Sequence, residues 1–404
     1  MSLAAAAVLA LLSLAFGKLD RWLWGSALTP GVVLASGYAV IVLIYGIARS
    51  FYDFAEVRWI TYAALALFIA ACMLCSVVAA ATLHWRRSEI HTNARGTGAA
   101  ASIVLVLVLA VFLPVAVVTS IANGGLWSTG ARDAMSSGPI GHLHVLLAFA
   151  TVWYAVGGRG DAWRRALLLA TALAALSLYP VKGWTLIPLT AVIFAVLYRS
   201  RTTSSSAWKY LPLLALTGTA VFFTIYVARA DLGAADGEVA AGVLSAVFEH
   251  FLFYLTAGLF GLDAVVAGLQ LPGGPILLFA PLHNMLAILT GDLLVSSFSS
   301  VYVEGMESHD TGGNVFSFLG SLVGYGGVLV GVATAGLIVT LAYILLGLAW
   351  RMRAAPLRAA ALYVLATLAF GWFDYYLWLL TPWEVLVIGV LVALPALSWR
   401  RRST

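Results

Sequence analysis

Residues 305–310 read Gly-Met-Glu-Ser-His-Asp and gather Glu307, His309 and Asp310 in a chain of which only 10% is charged. A histidine titrates near neutral pH and can take or give a proton. His309 is therefore a candidate general base, with Glu307, Asp310 and the more distant Glu249 competing for the role. Glu249 and His250 are adjacent in sequence and point to different sides of any helix, so they cannot act as an i, i+4 metal pair. Neither HxxxH nor HExxH spacing occurs, and the Ser-nucleophile, phosphate-loop and dinucleotide glycine patterns are missing too. The site is read as metal-free and cofactor-free. Cys72 and Cys75 form a CxxC inside an apolar run and read as small packing residues.

The cations complement these acids. Lys182 lies in LYPVKGWTLIPL, bracketed by Pro180 and Gly183, with no acid within ten residues. It suits an anionic ligand, or a lysine reaching for an interface. Arg229 closes an apolar run in IYVARADLG. Its planar fork can clamp a phosphate or cap a helix end. Arg49 and Arg58 flank SFYDFAEV, where Asp53 and Glu56 can pair with them, and Arg132 sits beside Asp133.

The elements that must carry these groups are membrane spans. The 404 residues are 62% hydrophobic with mean hydropathy +1.00, and apolar runs of 18 or more residues recur. Each is long enough to cross ~30 Å of hydrocarbon as a helix. Alternating strand patterns are missing. The expected fold is an all-α polytopic membrane protein forming one transmembrane domain over 1–404. Spans are read near residues 2–17, 28–48, 57–84, 99–122, 140–157, 165–180, 183–198, 208–228, 313–348, 357–374 and 381–399. The first has no basic leader and reads as a span rather than a cleaved signal. Two further apolar stretches, 243–269 and the proline-broken 272–295, read as interfacial or re-entrant helices. Full crossing by both would raise eleven spans to thirteen. With the C-terminus in the cytoplasm, 17 of the 22 Lys and Arg residues fall inside and five outside. That bias predicts an outer N-terminus, an inner C-terminus and a large outer region over 229–312. Its polar, broken segments suggest a cavity open to the outside. The net charge of +5 reports this orientation and not nucleic-acid binding.

Residues 312–346, GGNVFSFLGSLVGYGGVLVGVATAGLIVTLAYILL, resemble the late signature of the O-antigen polymerases (Wzy). The matching residues are Asn314, Val315, Phe316 and Ser317, then Gly324, Gly326, Gly327 and Gly331. Gly324-Tyr325-Gly326 stands where that family commonly has Asp-Phe-Gly. Residues 251–266 and 180–201 resemble two further family segments, and the likeness covers about a third of the chain. The resemblance implies a GT-C-like membrane glycosyltransferase of the bacterial inner membrane, with its site facing the periplasm and no metal. Such an enzyme joins undecaprenyl-pyrophosphate-linked oligosaccharides into surface polysaccharide, and a chain-length regulator is a possible partner. Lys182, Arg229 and Arg58 would hold the pyrophosphate, and His309, Glu249 or Asp310 would take the proton. An O-antigen ligase, another lipid-linked-sugar transferase, or a flippase without covalent chemistry are the competing readings.

Overall fold

A computed structural model describes residues 2–86, 98–126, 128–136, 138–179, 182–199, 237–291, 301, 303–304 and 312–398. Thirteen α-helices form among them: α1 (Ser2–Trp24), α2 (Pro30–Ala48), α3 (Trp59–Leu83), α4 (Gly98–Ala122), α5 (Thr129–Met135), α6 (Gly138–Gly157), α7 (Ala162–Leu176), α8 (Lys182–Arg199), α9 (Gly237–Val266), α10 (Ala280–Thr290), α11 (Phe318–Met352), α12 (Ala355–Ala369) and α13 (Leu380–Ser398). Short 3-10 turns cover Pro275–Phe279 and Tyr376–Trp378. The one strand pairing among the described residues is a two-residue antiparallel contact, Val303 with Gly313 and Glu304 with Gly312.

Among the described residues, seven helices are long and apolar enough to cross a membrane: α1 to α4, α6, α9 and α11. Apolar side chains cover their outward faces as well as their cores, with Leu11, Leu67, Leu74, Leu107 and Ile121 all exposed. A helix that is apolar all round belongs in lipid or deep in protein. The chain thus has the make-up of a multi-pass, all-helical membrane protein. Of the two stretches read as interfacial or re-entrant, α9 is long enough to span. The eleven residues of α10 rise only ~16 Å, too short to cross alone.

The chain divides into two compact units, each discontinuous in sequence. The first comprises Met1–Arg86, Leu232–Ile344 and Thr367–Trp383. Its anchor is Asp20, fully buried, whose carboxylate accepts hydrogen bonds from the hydroxyls of Thr29, Ser76 and Tyr343. Trp24 Nε1 donates to Ser76 Oγ at 2.9 Å. A lone acid in apolar surroundings needs such donors, and these tie α1, α2, α3 and α11 together. α9 packs against α2 and α3. Phe260 meets the rings of Tyr45 and Phe54 at 5.7 and 5.9 Å, and Asp263 Oδ1 accepts the Arg58 N–H at 2.8 Å and the Thr61 hydroxyl at 2.6 Å. That carboxylate satisfies an orphan donor at the start of α3, as a capping side chain does.

The second unit comprises Arg87–Asp231, Leu345–Ala366 and Glu384–Thr404. In it α4, α7 and α8 pack around α6. Arg358 donates to the carbonyls of Ala349 and Trp350 and lies 5.0 Å over the Trp350 ring, closing the C-terminal end of α11.

Candidate functional site

The signature stretch is not one long span. α11 is interrupted at Gly327, where φ 72° and ψ 171° occupy a region that only glycine adopts readily. Residues 318–326 form a half-helix and 328–352 a full-length one. They fold back so tightly that a Cβ on Gly331 would lie 2.5 Å from the Leu322 carbonyl oxygen. In a straight helix those two residues would be ~13 Å apart along the axis.

The half-helix begins deep in the bundle. Ser317 takes a left-handed φ of 51°, and its Oγ accepts the Gly320 N–H at 3.3 Å. Its own N–H donates to the Phe373 carbonyl at 3.0 Å, and the Phe318 N–H donates to Gly371. The Tyr38 hydroxyl accepts the Leu319 N–H at 3.1 Å and donates to the Gly371 carbonyl at 3.2 Å. Tyr38 is the ninth of nineteen residues in α2, and Phe68, 6.0 Å from the Phe318 ring, lies at a similar depth in α3. Two irregular segments, 314–317 and 370–375, are therefore knit together near mid-span. Irregular backbone at that level survives only where protein satisfies it or where it lines a polar cavity. Here protein satisfies it.

A small cleft opens between these segments, lined by Leu277, Asn314, Phe316, Ser321, Tyr325, Asp374, Tyr375 and Trp378. It has space for little more than one water molecule. Asp374 Oδ1 accepts the Tyr375 N–H at 2.7 Å, and the Tyr375 hydroxyl donates to the Leu278 carbonyl at 2.8 Å. A carboxylate, an amide and a hydroxyl among aromatic rings can hold one hydroxyl group and move its proton.

The expected site residues divide on this frame. Asn314 lines the cleft, whereas Ser317 is a buried helix cap with its oxygen already engaged. Arg58 does not pair with Asp53 or Glu56: its Nε lies 3.8 Å from Asp263 Oδ2, while Glu56 pairs with Arg49 at 3.2 Å. A guanidinium facing a carboxylate must give up that contact before it can clamp a pyrophosphate. Glu249 is half-buried on α9, ~21 Å along the helix from Asp263, so it does not share a site with Arg58. Lys182 is the first residue of α8, in the second unit. His309, Asp310 and Arg229 lie outside the described residues. No three His, Cys, Asp or Glu side chains are grouped as metal ligands among the described residues.

A model of a family of unknown function, DUF6337, matches residues 89–400, well over half of the chain. The chain belongs to that family. No curated protein and no solved structure matches it. In this DUF6337 protein every residue lining the cleft falls inside the matched stretch, while Tyr38 and Arg58 precede it.

Asp374 was missed in the sequence because it stands alone in FGWFDYYLW, with no partner acid or histidine nearby. The signal was there: a single acid inside a late apolar, aromatic stretch is costly unless it is used. The second unit of the DUF6337 chain holds a comparable unforeseen group, His144. It is buried between Phe112, Tyr179 and Trp184, with Nε2 3.4 Å from the Leu176 carbonyl and Nδ1 without a hydrogen-bond partner.

Proposed function

We propose that the protein polymerises undecaprenyl-pyrophosphate-linked oligosaccharide repeat units into O-antigen or a related surface polysaccharide. The reaction is metal-independent glycosyl transfer at the periplasmic face of the bacterial inner membrane, in a GT-C-like frame of eleven to thirteen spans. The observation that carries this reading is the signature segment. Asn314–Ser317 in sequence resembles the O-antigen polymerases, and in the fold it is the irregular entry to a half-helix bordering a small cleft that Asp374 also lines. Broken helices at membrane depth border substrate sites in other membrane proteins.

In this chemistry the leaving pyrophosphate must be stabilised as the sugar bond breaks. Lys182, Arg229 and Arg58 are the cations proposed for it, by charge-assisted hydrogen bonds in a site of low dielectric. Arg58 would have to exchange its Asp263 contact for the phosphate. The attacking hydroxyl must lose a proton, for which His309, Glu249 and Asp310 are the candidates from the sequence. A chain-length regulator is a proposed partner.

Deletion of the gene in its host tests the reading. The expected surface product is lipid core capped with single repeat units and no ladder of longer chains. Free lipid-linked polymer would mean a ligase instead, and loss of all export a flippase.

A further inference from the structure

The cleft between residues 314–317 and 370–375 is lined by one carboxyl group, Asp374, beside the amide of Asn314 and the hydroxyl of Ser321. Tyr325, Tyr375, Trp378 and Phe316 complete its wall. Its free space matches one hydroxyl group and not a sugar ring. Glu249 is not part of the lining. A carboxylate, two further hydrogen-bonding groups and a wall of rings suit one hydroxyl of a saccharide's terminal sugar, the ring itself staying outside the cleft. Asp374 is also held still. Its Oδ1 receives the Tyr375 N–H, and the flanking carbonyls of Gly371 and Phe373 are tied to Phe318 and Ser317. A base so fixed needs no reorganisation when the proton moves.

We propose that Asp374 is the catalytic base that deprotonates the attacking sugar hydroxyl, with Asn314 and Ser321 orienting that hydroxyl in the cleft. This rests on the polymerase reading above. The hydroxyl oxygen of the incoming lipid-linked unit forms a bond to the anomeric carbon of the growing chain, and its proton passes to the Asp374 carboxylate. The bond from the anomeric carbon to the pyrophosphate oxygen breaks, and its electron pair leaves with undecaprenyl pyrophosphate. Asp374 then returns its proton to water.

The test uses full-length protein in lipid nanodiscs and lipid-linked repeat units extracted from the host. Asp374→Asn keeps an oxygen that can accept the Tyr375 N–H, so it is expected to fold. It should lower kcat by ~10²- to 10⁴-fold, the usual share of a positioned base, with KM unchanged. Asp374→Ala should be as slow and should recover partly when formate is added to fill the gap. Wild-type turnover by either variant, or no rescue of the alanine variant by formate, overturns the assignment. A wild-type protein that builds no polymer from these units overturns the polymerase reading itself.

Discussion

Single side chains in the first unit replace the hydrogen bonds that broken helices give up. Asp263 does so for the start of α3, with bonds from the Arg58 N–H and the Thr61 hydroxyl. Asp263→Ala should lower stability by ~1–2 kcal/mol, the usual cost of losing a cap, read as a lower unfolding temperature of the detergent-purified protein. An unchanged unfolding temperature would mean that water replaces the carboxylate. Residues such as Asp263 and Tyr38 were not legible in the sequence for one reason. Each acts on a partner far along the chain, Tyr38 on Leu319 and Gly371 and Asp263 on Arg58. No local spacing announces such a contact. Arg58 shows the converse: Asp53 and Glu56 were its plausible partners by proximity in sequence, and the fold supplied Asp263 from α9.

At the scale of elements, the break in α11 matters most. The run 313–348 reads as one uninterrupted span because glycines are common in membrane helices and hydropathy does not register a reversal. Gly327 makes the reversal possible by its backbone angles, and nothing lies within 4 Å of where its Cβ would be. Gly327→Ala should therefore cost ~1–3 kcal/mol through backbone strain alone, without a clash, and thermal unfolding in detergent measures it. Loss of polymer synthesis in a variant still folded at the assay temperature would show that the half-helix must hold its exact place beside the cleft. Gly331 differs: there a side chain would strike the Leu322 backbone.

At the scale of the molecule, α9 runs in the same direction as α2. Residues 254–258 lie beside the segment that meets Gly37 and Tyr38, and Phe260 lies beside Tyr45. Its thirty residues extend ~45 Å, more than the hydrocarbon thickness. The two ends of α9 therefore belong on opposite faces, with the Val266 end level with the turn between α2 and α3. Single cysteines at Glu56 and at Gly237, with Cys72 and Cys75 replaced by serine, should react with an impermeant reagent from opposite sides of the membrane. Labelling of both from one side would refute a spanning α9 and favour a wholly external region 229–312. Composition and run length settled by themselves that the chain is helical and built for a bilayer, because lipid imposes those features on every span whatever it packs against. Which spans break, which acid faces the cleft and which cation already has a partner were decided only by tertiary structure. Those depend on contacts between residues hundreds of positions apart, and in an apolar chain many different packings satisfy the same hydropathy.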